Sequence, residues 1–175
     1  MIVVDTETTG TNPYKNSIIQ IGAVDFYNPN LQFKLTFMPF DTAEVDPIAE
    51  TIHKLSIKQL QSFDGFNNAI TKFNEWVKNI GQRYENSTIR LGGYNIGFDF
   101  WFLKFSFDRV GIKMPFDFHL FDLYSISKAF GFPSLSVVGI CNRLKLPVLP
   151  THDALNDAIM TRNALFELLP KHGNY

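Results

Sequence analysis

The chain lacks the marks of a secreted, membrane-bound or nucleic-acid-coating protein. One cysteine, Cys141, stands in 175 residues, so no internal disulfide can form and a reducing compartment is expected. No stretch approaches about 18 consecutive apolar residues, the length a membrane-crossing helix needs. The chain opens on an apolar strand instead of a basic-then-apolar leader, and a cytoplasmic location is expected. Sixteen Lys and Arg against seventeen Asp and Glu give a net charge of −1. Without a broadly basic surface, a polynucleotide partner would have to be gripped locally, through a few phosphates and a metal. No repeat, low-complexity tract or linker breaks the chain, so residues 1–175 are expected to form one domain around one core. Eighteen phenylalanines, scattered without a period, read as filling for that core.

Apolar runs of strand length fall at residues 1–6, 17–26 and 31–38, the last two joined by the turn residues Asn28-Pro29-Asn30. They predict an antiparallel meander of three strands. Asp46 and Pro47 are placed to cap and start a short helix over residues 47–54. Phe66, Ile70, Phe73, Trp76, Val77 and Ile80 recur at helical spacing up to Gly81. A fourth strand is predicted at residues 88–91, then a turn at Gly92-Gly93 and a helix over 98–109. A fifth strand follows at 118–123, with helices at 123–130, 136–144 and 153–169. Antiparallel strands first and helix-linked parallel strands later make an α/β protein with a mixed five-stranded sheet flanked by helices. Ligands of such sheets bind along one rim, at strand ends and loops.

Several acids fall on that rim. Asp5 and Glu7 are two apart on the first strand, so both side chains leave one face while Thr6 leaves the other. Like charges held so close are unfavourable without a cation between them, and hard oxygen ligands suit Mg²⁺ or Mn²⁺. Asp99 falls in the first turn of a helix, where an acid also simply complements the helix dipole. Asp153 and Asp157 share a face at the start of the last helix, with Thr151 or Asp153 as its cap. His152 precedes them in a loop stiffened by Pro147 and Pro150. A neutral imidazole there suits proton transfer from water near neutral pH.

The segments Asp5-Thr6-Glu7-Thr8-Thr9-Gly10, Asn95-x-x-Phe98-Asp99 and His152-x-Ala154-x-x-Asp157-Ala158 resemble the three motifs of the DEDD family of 3′-to-5′ exonucleases, histidine subgroup. The resemblance implies a ribonuclease H-like fold and a hydrolase that releases nucleoside monophosphates from single-stranded or frayed DNA 3′ ends. It implies two Mg²⁺ ions, replaceable by Mn²⁺, on Asp5, Glu7, Asp99 and Asp157, with His152 as general base. Residues 45–53 are similar to a region of the proofreading epsilon subunit of bacterial DNA polymerase III. That similarity makes Ile52, His53 and Phe98 contacts to the terminal nucleotide, with the backbone around Thr6 beneath its sugar. It also suggests a polymerase subunit as partner and proofreading or repair as a role.

Two departures bear on substrate preference: Tyr94 replaces the usual histidine before Asn95, and Ile48 replaces an acid of the proofreading subunit. An RNA-directed exonuclease of the same family, or an idle module holding a nucleic-acid end or a polymerase, would share these motifs. The last predicted helix lies close to residue 175, and no extension tethering the chain to a polymerase is expected. Asp122 reads as a cap or as support for the site. Lys104, Arg109, Lys113, Arg143 and Lys145 offer either a strand path or a solvated face. Asp41, Asp108, a strand-face His119 and a terminal His172 carry no functional reading.

Overall fold

The computed structural model describes residues 1–83 and 89–170. Within them, five strands form one sheet in the order β3-β2-β1-β4-β5. β1 (Ile2–Thr8) lies at its centre because Ile2, Val3 and Val4 are apolar in succession and can be buried on both faces. It pairs antiparallel with β2 (Ile18–Asp25), which pairs antiparallel with β3 (Gln32–Thr36). On its other edge β1 pairs parallel with β4 (Leu91–Gly93), and β4 with β5 (Phe121–Asp122). The expected mixed sheet is therefore the observed one.

The helices are α1 (Pro47–His53), α2 (Ile57–Leu60), α3 (Phe66–Gly81), α4 (Gly97–Val110), α5 (Leu123–Ala129), α6 (Val137–Leu144) and α7 (Ala154–Leu168). Alternation along β1 splits the core between the two faces of the sheet. Ile2 and Val4 pack with Phe73 and Val77 of α3 and Phe102, Leu103 and Phe107 of α4. Met1 and Val3 pack with Leu123, Ile140 and the α7 residues Ala158 and Leu165. Phe37, Phe73, Phe102 and Phe107 are fully enclosed, each contributing about 1.5–3 kcal/mol of burial. Cys141 is buried too, and burial pushes its thiol up, as befits a small apolar filler. Among the described residues no helix is long and apolar enough to cross a membrane.

Three local expectations change. Gly92 and Gly93 are part of β4 and not the turn after it, because the chain folds straight back over them. A Cβ on Gly93 would lie 2.5 Å from the Ile96 side chain and 2.9 Å from the Val4 carbonyl oxygen. The turn is instead made at Tyr94-Asn95, with Asn95 left-handed at φ 52°. Thr88 of the expected strand lies outside the described residues, while Ile89 forms an isolated bridge with Phe116. β5 shrinks to two residues, which leaves His119 exposed, stacked on Phe118 and 3.3 Å from Asp117. His172 lies outside the described residues. The one-turn helix α2 has no clear periodic signal in so short a segment.

Candidate active site

Asp5 and Glu7 continue the Val3 face of β1 to its carboxyl end, where both carboxylates stay partly exposed. The same face receives α7. In the β1–β2 register Asp5 lies beside Gly22 and Glu7 beside Gln20. Gly22 lets α7 come down onto bare backbone: a Cβ there would lie 2.1 Å from the Ala154 carbonyl carbon. Gln20 fixes the contact, its side-chain oxygen accepting from the Ala154 N–H at 2.9 Å. Asp153 caps α7 by accepting from the Asn156 N–H at 3.2 Å, and it pairs with Lys34 on β3. With the helix end pinned, Asp157 one turn along reaches the strand acids. One carboxylate oxygen from each of Asp5, Glu7 and Asp157 lies within 4.8 Å of the others.

Asp99 arrives from the opposite face. It sits in the first turn of α4, only 4% exposed, and its Oδ1 accepts from the Thr6 hydroxyl at 2.7 Å. The Thr6 backbone N–H also supports this carboxylate. Asp99 is thus separate from the trio on α7's side, yet it is the acid that perturbs Asp5 most.

The electrostatics show how crowded the site is. Burial, then Asp99, Asp157 and Glu7, push Asp5 well above the usual carboxylate range. Glu7 is pushed up to about 7 by burial and by Asp157 and Asp99. Burial pushes Asp99 to about 7 against the lowering effect of its bonds to Thr6. Asp157 is raised by burial, partly offset by the His152 N–H. Four acids that repel one another at neutral pH form a site for positive charge. Oxygens sharing one Mg²⁺ at about 2.1 Å stand about 3–4 Å apart, so small side-chain rotations would close the trio on an ion. The donor set fits a divalent cation.

His152 is exposed in the loop before α7 and left-handed at φ 61°. Its N–H donates to Asp157 Oδ2 at 2.9 Å, which ties loop and acid together. The loop is further held by the Asn156 side-chain amide, which donates to the Pro150 carbonyl at 3.0 Å.

α1 stands on the loop that leaves β1. The Asp46 N–H donates to the Thr9 carbonyl at 2.7 Å, and the Thr9 hydroxyl donates to the Glu44 carbonyl at 2.7 Å. Asp46 then caps α1 through the Ile48 N–H at 2.8 Å. At the other end His53 is buried, and burial lowers its pKa. Its Nδ1 accepts from the Leu55 N–H at 3.1 Å, so the neutral ring carries its proton on Nε2, which is buried without a partner. Ile52 is exposed on the same helix, and Phe98 packs on Phe102 with ring centres 4.8 Å apart.

Asp122 caps α5 through the Ser125 N–H at 3.1 Å and also accepts from the Ile96 N–H at 3.4 Å, steadying the turn before Asp99. Lys104 pairs with Asp108, and the Arg109 guanidinium lies over the Phe40 ring at 3.7 Å. Sequence reasoning missed Gln20, Gly22, Lys34 and the side-chain role of Thr6. A lone glycine inside the apolar β2 segment was the available signal for close backbone approach.

Residues 2–165 match the Exonuclease family. The chain is 29% identical over 175 residues to the 3′-5′ DNA exonuclease Cap18 of Escherichia coli, covering 97% of this chain and 91% of that protein. It is 24% identical over 173 residues to DNA polymerase III subunit epsilon of Treponema pallidum, covering 96% of this chain and 75% of the subunit. A zinc-bound complex of E. coli exonuclease I with single-stranded DNA superposes with a TM-score of 0.77 at 17% identity. That match covers 97% of this chain and 41% of exonuclease I. Acids converging from both faces of the sheet and a sequence match over nearly the whole length agree, and the chain belongs to the Exonuclease family of divalent-metal-dependent hydrolases.

Proposed function

We propose that the chain, as one domain over residues 1–175, removes nucleoside monophosphates one at a time from the 3′ end of single-stranded or frayed DNA. The observation that carries this reading is the position of Asp5, grouped with Glu7 and Asp157 on one side and followed in β1 by Thr6, whose hydroxyl holds Asp99 on the other. One carboxylate placed in this way can belong to two ion sites at once, which suits a pair of Mg²⁺ ions, with Mn²⁺ as substitute. When bound, such a pair supplies a lowered pKa for the attacking water and neutralises the leaving 3′ oxygen.

The protein's own groups do the rest. Asp5, Glu7 and Asp157 would hold one ion, and Asp5 with Asp99 the other. Thr6 keeps Asp99 oriented. His152 takes the proton from the attacking water, a role worth roughly 10²- to 10⁴-fold in rate. His53 contacts the terminal nucleotide as a neutral ring, its Nε2–H being free of any protein partner among the described residues. Ile52 and Phe98 supply apolar surface against the terminal base.

DNA as substrate is supported by the similarity to a 3′-5′ DNA exonuclease over nearly the full length of both chains. A polymerase as partner rests on the similarity to an epsilon subunit. Mere binding would give no reason for four mutually repelling carboxylates. The test is release of mononucleotides from a 3′-labelled oligonucleotide with Mg²⁺ or EDTA, in DNA and RNA versions of one sequence. Activity should need the metal, favour DNA and vanish in Asp5→Ala. A fully active Asp5→Ala protein would refute the site.

A further inference from the structure

A groove of about 300 Å³ opens between α4 and the loop joining β1 to β2. Phe98, Trp101 and Phe105 follow one another along one face of α4, and Pro13 and Tyr14 form the facing wall. Tyr14 and Trp101 are 70% and 54% exposed. The Tyr14 and Phe105 rings stand 4.2 Å apart, and those of Trp101 and Phe105 6.2 Å apart. Two exposed rings continuous with the half-buried Phe98 and Phe105 mark a surface that something covers.

Both walls start at the acids of the active site. Phe98 immediately precedes Asp99, and the Tyr14 loop leaves β1 directly after Glu7 and Thr8. The lining includes no charged side chain, so the groove suits flat apolar faces and not phosphates. We infer that Trp101, Tyr14 and Phe105 stack the unpaired bases just upstream of the 3′-terminal nucleotide. This inference rests on the proposed exonuclease function and deepens it. It makes the enzyme's preference for single strands a matter of base stacking: bases already stacked in a duplex cannot enter, so paired ends must fray first. Stacking accepts every base, so the preference is for strandedness and not for sequence.

The experiment compares kcat/KM on two DNA oligonucleotides that differ only at the second and third nucleotides from the 3′ end, intact in one and abasic in the other. The wild-type protein should favour the intact strand roughly 5- to 100-fold, the range expected from stacking on an aromatic side chain. Trp101→Ala and Tyr14→Ala should lose most of that ratio, and Trp101→Phe should keep much of it. Equal rates on both strands for the wild type, or an undiminished ratio in Trp101→Ala, would overturn the inference. If Trp101→Ala converted a dimer to a monomer with the ratio intact, the groove would be a protein interface and the inference would again fall. A wild-type protein that degrades neither strand would instead refute the exonuclease reading itself.

Discussion

Gly22 on β2 and Ala154 at the head of α7 meet through bare backbone, with room for nothing larger than hydrogen: a Cβ would stand 2.1 Å from the Ala154 carbonyl carbon. Ordinary carbon contacts need about 3.5–4 Å, and backbone cannot rotate away as a side chain can. Gly22→Ala therefore has to lift the head of α7, and with it Asp157. The variant should lose about 3 kcal/mol or more of stability, at or above the upper end for overpacking. Its Mg²⁺ affinity by calorimetry should fall as well, since Asp157 no longer meets Asp5 and Glu7. Wild-type affinity and stability in this variant would show that α7 is not seated through Gly22.

Thr6 makes a second prediction. Its hydroxyl donates to Asp99 and lowers that acid's pKa against the pull of burial. Thr6→Val keeps the shape and deletes the donor. A hydrogen bond to a charged group is worth about 1.5–3 kcal/mol, so kcat should fall roughly tenfold or more. The acid limb of the pH–rate profile should move to higher pH, because Asp99 would hold its proton more tightly. Thr6→Ser should restore both. An unmoved acid limb would mean that Asp99 does not titrate in the reaction.

Stability should depend on pH in the direction set by raised acids. Glu7 and Asp99 ordinarily titrate at 4.5 and 3.8, and in the fold both are pushed up to about 7. Between those values the folded state binds more protons than the unfolded chain, so stability falls as pH rises through that window and levels off above about 7. In EDTA, Tm should therefore drop over this range, and less steeply in Glu7→Gln. Mg²⁺ should raise Tm more at pH 8 than at pH 5, because ion and proton compete for the same oxygens. A larger Mg²⁺ effect at the lower pH would contradict the assignment of these acids as ligands.

His152 separates chemistry from loop geometry. Its backbone is left-handed, which glycine adopts without strain, and its N–H bond to Asp157 belongs to the main chain. His152→Gly should keep Tm near wild type while kcat falls about 10²- to 10⁴-fold, the loss of a general base. Full activity would transfer the proton-accepting role elsewhere.

The polypeptide's own order of residues already carried the strand alternation that puts Asp5 beside Glu7, the cap at Asp46, and the succession of antiparallel and parallel strands, while the cap of α7 stayed open between Thr151 and Asp153 until the fold chose Asp153. These depend on neighbours a few positions apart, where period and capping chemistry act directly. The boundaries of β4 and β5 were less legible, because a pair of glycines reads as a turn until the packing of Ile96 over Gly93 shows why a side chain is excluded. Convergence of the acids was decided in three dimensions. Asp99 comes from α4 on one face of the sheet and Asp157 from α7 on the other, and nothing local states that they meet across β1. What brings them there is the absence of a side chain at Gly22, one hydrogen bond from Ala154 to Gln20, and the grip of Thr6 on Asp99. Each is a contact between segments far apart in the chain, so only the folded backbone could select it.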